Sequence, residues 1–412
     1  MTTDPLFIAA ADWAVVFIFG VVYLGMFLGG LPRLKLDRSG VALLGAIAVI
    51  AVSGMGVVEA AEAVDLPTIL LLFAFMVISA QMRLGGFYAA VTRRVGELPL
   101  PDPALLAALI AVAAVLSAVF SNDVICLAMT PIVARLCLRR GTNPLPFLIG
   151  LACAANIGSA ATLIGNPQNM LIGSVLRLDF ADYARAALVP VLLSLLVLWG
   201  WLVCVPHQRV DPLPPTDRRS EDPPFNAWQT AKGLAVAGVL MGLFLFHDGP
   251  HEVIALLGAG LLLLSRRLAS AEFMKLVDWP LLILFMGLFV VNHAFEQTGL
   301  STDAVAWLTE HGVRLNDPGP LVVVGVVLSN LVSNVPAVML LLPHLANDPQ
   351  AGVLLALVTT FAGNLLLVGS IANLIVADLA RQQGIVIDWK RHAIVGVPVT
   401  LLSLGVIWIV SR

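Results

Sequence analysis

The chain has 412 residues, 59% of them hydrophobic and only 12% charged, with a mean hydropathy of +0.96. Soluble domains carry roughly 25% charged residues, so this composition excludes an ordinary soluble protein and points to a polytopic membrane protein. The formal net charge of −3 carries little weight, because orientation depends on where Lys and Arg lie; the expected partner is lipid, with no nucleic acid.

The N-terminus Met1-Thr2-Thr3-Asp4 lacks a basic region, so the apolar run 7–30 reads as a first span rather than a cleaved signal. Apolar segments follow at 41–58, 66–83, 103–138, 145–176 and 187–206. After a Pro- and charge-rich linker, 207–228, they resume at 229–247, 251–265, 278–297, 318–345, 351–379 and 393–411. Segments 85–100 and 301–317 follow the third span of each half and read as amphipathic interfacial helices. Cys126, Cys137, Cys153 and Cys204 lie in apolar stretches without ligand spacing, which predicts buried structural thiols.

Segment 103–138 is too long for one ordinary span of about 20 residues. Its middle carries Leu116-Ser117-Ala118-Val119-Phe120-Ser121-Asn122, and segment 318–345 carries Leu328-Ser329-Asn330-Leu331-Val332-Ser333-Asn334. Ser117/Ser329, Ser121/Ser333, Asn122/Asn334 and Pro131/Pro343 all share one offset of 212 residues. Both segments therefore read as re-entrant hairpins with polar tips, which membrane depth allows only where protein or a cavity surrounds them. With the N-terminus outside, nineteen of the 23 Lys and Arg fall in cytoplasmic connections, and only Arg177, Arg185, Arg314 and Arg412 fall outside. The predicted fold is all-α: two inverted repeats, 1–206 and 229–412, each of five spans plus one re-entrant hairpin. Both termini are expected on the outer side.

A second pair of motifs follows the hairpins. Asn156-Ile157-Gly158-Ser159-Ala160-Ala161-Thr162-Leu163-Ile164-Gly165-Asn166-Pro167-Gln168-Asn169 lies in 145–176, and Gly363-Asn364 through Gly369-Ser370-Ile371-Ala372-Asn373 lies in 351–379. Gly165/Gly369 and Asn169/Asn373 keep an offset of 204. Gly165-Asn166-Pro167 must break a helix, since Pro167 lacks an N–H and disfavours a helical Asn166; a gentler break is expected at Gly369-Ser370. Discontinuous helices at the midplane place free carbonyls, which suit Na⁺, beside free N–H groups, which suit an anionic oxygen. Asp123, at the start of the second hairpin helix, has Val335 as its mate, so it breaks the symmetry. A carboxylate there suits Na⁺ coordination, proton carriage or dipole stabilisation. It would also repel a nearby anion when ionised, which favours a small, weakly charged substrate.

Together these motifs resemble the ion transporter superfamily, which includes divalent anion/sodium symporters, ArsB-type arsenite efflux pumps and NhaD-type sodium/proton antiporters. Asn122-Asp123 with Leu127-Ala128-Met129-Thr130-Pro131 is similar to the ArsB pattern, and Thr162 to Asn169 to the signature shared across the superfamily. The resemblance implies an inner-membrane protein with scaffold and transport domains, often dimeric, moving in elevator fashion. By position, it implies cation binding or coupling by Ser117, Ser121, Asn122, Asp123, Gly165, Ser329, Ser333, Asn334 and Gly369. Substrate binding is implied for Thr162, Asn166, Asn169, Asn364, Ser370 and Asn373. The expectation is a secondary transporter of a small anion or metalloid oxyacid, coupled to Na⁺ or H⁺ and needing no cofactor beyond that ion. The alternative is an NhaD-type Na⁺/H⁺ antiporter. An enzyme is not expected, since the sequence has no H-E-x-x-H, G-x-S-x-G or P-loop.

Overall fold

The structure, a computed structural model, describes residues 5–31, 34–205, 224–247, 249–345 and 348–410. Linker residues up to 223 and both chain ends lie outside the described residues, and with them the expected placement of the termini. Apart from a two-residue strand pair, Gly30–Leu31 with Leu36–Asp37, the regular structure of the described residues is helical. Among the described residues, six helices are apolar and long enough to cross a membrane: Leu66–Leu84, Asp102–Phe120, Phe180–Cys204, Ala227–Phe246, Trp279–Gln297 and Trp389–Val410. The other apolar segments form shorter helices, among them Arg38–Ser53, Pro144–Ser159, His251–Leu263, Pro318–Val332 and Pro349–Ala362.

The helices sort by packing into two groups. Pro5–Leu28, Arg38–Ser53, Leu66–Leu84, Ala227–Phe246, His251–Leu263 and Trp279–Gln297 pack chiefly on one another. The helices of 102–204 and 318–410 do likewise. Small residues let the second group close up: a Cβ on Gly158 would meet Ala114 Cα at 2.3 Å, so Pro144–Ser159 lies backbone-to-backbone on Asp102–Phe120.

Polar residues interrupt this second group at four places. Asp102–Phe120 stops at Ser121 (φ 75°, ψ 133°) and Asn122–Arg140 starts at once; Pro318–Val332 stops at Ser333 (φ 78°, ψ 161°) before Asn334–Leu341. These backbone angles are costly for any residue with a Cβ, so tertiary contacts must hold both serines there. Pro144–Ser159 is separated from Pro167–Val175, where the Asn166 side chain caps the new helix by accepting from Asn169 N. Pro349–Ala362 is separated from Ile371–Arg381 by a stretch with a single 3₁₀ turn, Leu367–Gly369.

Two expectations need correction, and one pair of elements differs between the halves. The second break is as long as the first, 363–370 against 160–166, because extended Ser370 starts a fresh helix by accepting from Ala372 N and Asn373 ties the loop carbonyls. The two expected interfacial helices differ: Phe87–Gly96 buries Tyr88, Ala89 and Thr92 and packs on Asn122–Arg140, whereas Leu300–Glu310 buries no residue. Cys204 is exposed while the other three thiols are buried, since it ends its helix on an outward face.

Candidate functional site

Each of the two helix junctions, at Ser121 and at Ser333, forms a polar tip that lies against the break that follows it. At the first tip, Asn122 N donates to Gly165 O (3.2 Å), Asp123 N donates to Asn122 Oδ1 (3.0 Å) and Asn122 Nδ2 donates to Asn156 Oδ1 (3.0 Å). Ser79 Oγ donates to Phe120 O (2.8 Å) and Thr162 Oγ1 to Ala118 O (2.5 Å), fastening the preceding turn. Ser117 Oγ, one turn behind, is buried with no hydrogen-bond partner.

At the second tip, the Asn334 amide, Ser329 Oγ and the carbonyls of Thr359 and Gly369 face one another. One orientation of the amide satisfies them. The amide does so when it turns so that Nδ2 faces Thr359 O (3.2 Å), Gly369 O (3.3 Å) and Ser329 Oγ as a donor. Asn330 Oδ1 lies 2.8 Å from where a Gly369 Cβ would stand and is buried without a partner. This oxygen-rich set fits a hard cation such as Na⁺.

Between the tips lies a cavity of about 40 Å³, which has room for about three waters. The tips contribute Asn122, Asp123, Ser333, Asn334, Val335 and Pro336, and the breaks contribute Pro167, Gln168, Ser370 and Ile371. The facing wall comes from the other helical group: Met26, Arg38, Leu281, Leu284, Phe285 and Leu288. Asn122–Arg140, Pro167–Val175, Asn334–Leu341 and Ile371–Arg381 thus all point their N-terminal ends at one space. Each such end carries roughly half a positive charge. The site is electropositive mainly through backbone, and behind the second tip lie the Ser329 and Asn330 side-chain oxygens and the Thr359 and Gly369 carbonyls.

The sequence-derived site residues divide accordingly. Asn122, Asp123, Ser333, Asn334 and Ser370 line the cavity; Ser117, Ser329, Gly165 and Gly369 lie behind it, and Ser121 sits at the tip without lining it. Thr162, Asn166, Asn169, Asn364 and Asn373 do not line it; their side chains hold the breaks in shape. Asn166 Nδ2 donates to Ser159 Oγ (2.8 Å), Asn169 Nδ2 to Thr162 O (3.0 Å) and Tyr183 OH (2.9 Å), and Asn373 Nδ2 to Gly363 O (2.8 Å).

Sequence reasoning missed Asn156, Gln168 and Arg38. Asn156 is the junction of the two halves. Its Oδ1 accepts from Asn122 Nδ2 and Ser370 Oγ (3.0 Å each), and its Nδ2 donates to Asn364 Oδ1 (2.9 Å) and Asn373 Oδ1 (3.2 Å). A signal existed: Asn156 and Asn364 are 208 residues apart, midway between the two offsets already noted. Gln168 Nε2 donates to Thr360 Oγ1 (3.1 Å) and so ties the helix after the first break to the helix before the second.

A second cavity, of about 550 Å³, has Leu163, Ile164, Arg177, Phe180, Phe244 and His251 among its lining residues. The first break therefore separates two cavities, with Leu163 and Ile164 on one side and Pro167 and Gln168 on the other.

Comparison with known proteins bears on this arrangement. The model of the CitMHS family, described as "Citrate transporter", matches residues 14–362. An uncharacterized transporter of Mycobacterium tuberculosis (strain CDC 1551 / Oshkosh) is 30% identical over 378 residues, covering 83% of this chain and 84% of that protein. The silicon efflux transporter LSI3 of Oryza sativa subsp. japonica is 28% identical over 461 residues, covering 94% and 95%. Among solved structures, the YdaH transporter of Alcanivorax borkumensis aligns over 99% of this chain and 98% of its own, with a TM-score of 0.55 and 14% identity, a likeness of fold.

Proposed function

The chain belongs to the citrate transporter family of membrane transporters, and we propose that it is a secondary active transporter of a small oxyanion or oxyacid. One observation carries this reading: four helix N-termini meet at one small cavity, with Ser329 Oγ and the Thr359 and Gly369 carbonyls gathered behind the second tip. Helix N-termini bind oxyanions through N–H groups and dipole, and carbonyl-rich half-helix ends bind Na⁺. The two ligands then neutralise each other, which explains how the site works with Asp123 in its wall. Coupling to Na⁺ or H⁺ follows from that pairing.

Size narrows the cargo. A cavity of about 40 Å³ suits a compact tetrahedral or pyramidal oxyacid, such as silicic acid, arsenous acid or phosphate, better than tricarboxylic citrate. The rice relative's name, a silicon efflux transporter, supports the same chemical class.

Alternating access has a physical basis in the two helical groups. Each packs chiefly on itself, so the group bearing the tips can slide as a body past the other. The sequence halves then act as inverted repeats whose hairpins are re-entrant. The cavity reaches Arg38 and Leu281, at the ends of helices that the Lys and Arg distribution assigns to the cytoplasmic side, so this conformation faces inward. The larger cavity beyond the first break is then the outer vestibule.

Counterflow in proteoliposomes tests this reading, using arsenite, silicic acid, phosphate, sulfate and short carboxylates with and without a Na⁺ gradient. Saturable exchange of at least one of these solutes is expected. Cation exchange without any co-solute would replace the reading with an Na⁺/H⁺ antiporter.

A further inference from the structure

Arg38 opens the helix Arg38–Ser53, just after the N-cap Asp37. The Asp37 carboxylate accepts from Gly40 N at 2.8 Å, so it is engaged in starting the helix. Among the described residues the half-buried Arg38 guanidinium has no hydrogen-bond or ion-pair partner. It nevertheless lines the cavity, on the wall opposite the hairpin tips. The other charged side chain lining that cavity is Asp123, and no ion pair joins the two.

A partly desolvated guanidinium without a partner is unfavourable and is relieved by any ligand that brings acceptor oxygens. Guanidinium binds oxyanions in a planar, two-pronged geometry that an amide or ammonium does not reproduce. A neutral oxyacid gains much less from it. Among the described residues the facing walls of the cavity therefore carry one basic and one acidic side chain that do not pair with each other, which an oxyanion on the Arg38 side and a cation or proton on the Asp123 side would satisfy together.

We propose that Arg38 is a specificity-determining residue that makes the cavity prefer an ionised oxyanion to a neutral oxyacid. This rests on the oxyanion or oxyacid reading above. The contact comes from the helical group that does not carry the tips, so it exists only while the tips face Arg38.

Isothermal titration of the purified full-length protein in Na⁺ buffer near neutral pH tests it. Sulfate and phosphate serve as anionic probes, and arsenous and boric acids as neutral ones. Arg38→Gln is expected to weaken sulfate and phosphate binding by about tenfold or more and to leave the neutral acids within about twofold. Arg38→Lys, which keeps the charge, is expected to recover part of the anion affinity, and an unchanged unfolding midpoint shows that both variants fold. If the wild type binds the anions and Arg38→Gln binds them equally well, Arg38 has no recognition role and the transporter reading stands. If the wild type binds only neutral acids, the proposal also fails and the oxyacid reading stands. If the wild type binds no probe, the reading of the cavity falls, and this proposal with it.

Discussion

Gly165→Ala probes how tightly the first break holds the first tip. An added Cβ would stand 2.1 Å from Ser159 O and 2.7 Å from Ser159 Cα. Both are backbone atoms, so no side-chain rotation relieves the clash, and the loop must shift by roughly an ångström to reach normal contact. The bond from Asn122 N to Gly165 O is already 3.2 Å long and does not survive such a shift. Overpacking of this kind costs about 1–3 kcal/mol, and the lost hydrogen bond about 0.5–1.5 kcal/mol more. If that cost falls on the binding-competent conformation, transport drops by about ten- to a thousandfold. The assay is the initial rate of cargo uptake into proteoliposomes, alongside the unfolding midpoint. Two variants calibrate it. Gly20→Ala meets nothing within 4 Å and is expected to behave as wild type, while Gly369→Ala meets first the Asn330 side-chain oxygen, which can turn aside, and is expected to lose less. Wild-type uptake by Gly165→Ala would refute the claim that this carbonyl positions the tip.

Further outcomes follow from the same contacts. Asn156→Ala leaves Asn122, Asn364, Asn373 and Ser370 short of a shared partner; at about 1–3 kcal/mol for each buried group left unsatisfied, the unfolding midpoint should fall and uptake be lost, and an unchanged midpoint would contradict its role as a junction. Ser121→Gly and Ser333→Gly relieve positive φ angles of 75° and 78°, so each should stabilise the fold by about 1 kcal/mol while weakening uptake; a lowered midpoint in thermal unfolding would show that no strain is held there. Asp123→Asn removes the acidic side chain of the cavity wall without changing its size. It should alter the Na⁺ or pH dependence of uptake more than the unfolding midpoint, and an unchanged coupling profile would reduce Asp123 to a helix cap.

Much of this architecture was legible in the sequence because it is written as interruption. Ser121-Asn122 and Ser333-Asn334 stand out as polar pairs within apolar runs, and hydropathy leaves them no explanation except a turn inside protein. Pro167 announces the first break through its missing N–H, whereas the second has no proline between Ala362 and Ile371, so its full length was hidden. The division of labour among the asparagines was not legible. Asn166, Asn169 and Asn373 look like ligands in a one-dimensional motif, yet their amides close the loops on themselves. Asn156 and Asn364 meet across 208 residues, a contact that no local pattern encodes. Arg38 escaped notice because it follows a short polar connection, where a basic residue ordinarily marks only the cytoplasmic face. Its place in the cavity depends on how the two helical groups lie together, which periodicity does not specify.

The most direct test of a cargo held between the two tips is an anomalous difference map from crystals of the protein grown with arsenite, or with selenate in place of sulfate, according to which of arsenite and sulfate counterflow shows to be exchanged. The peak should lie in the space bounded by Asn122, Asn334, Gln168 and Ser370, facing Arg38. A peak elsewhere, with that space filled by side chains from continuous helices through 121–123 and 333–335, would contradict the account.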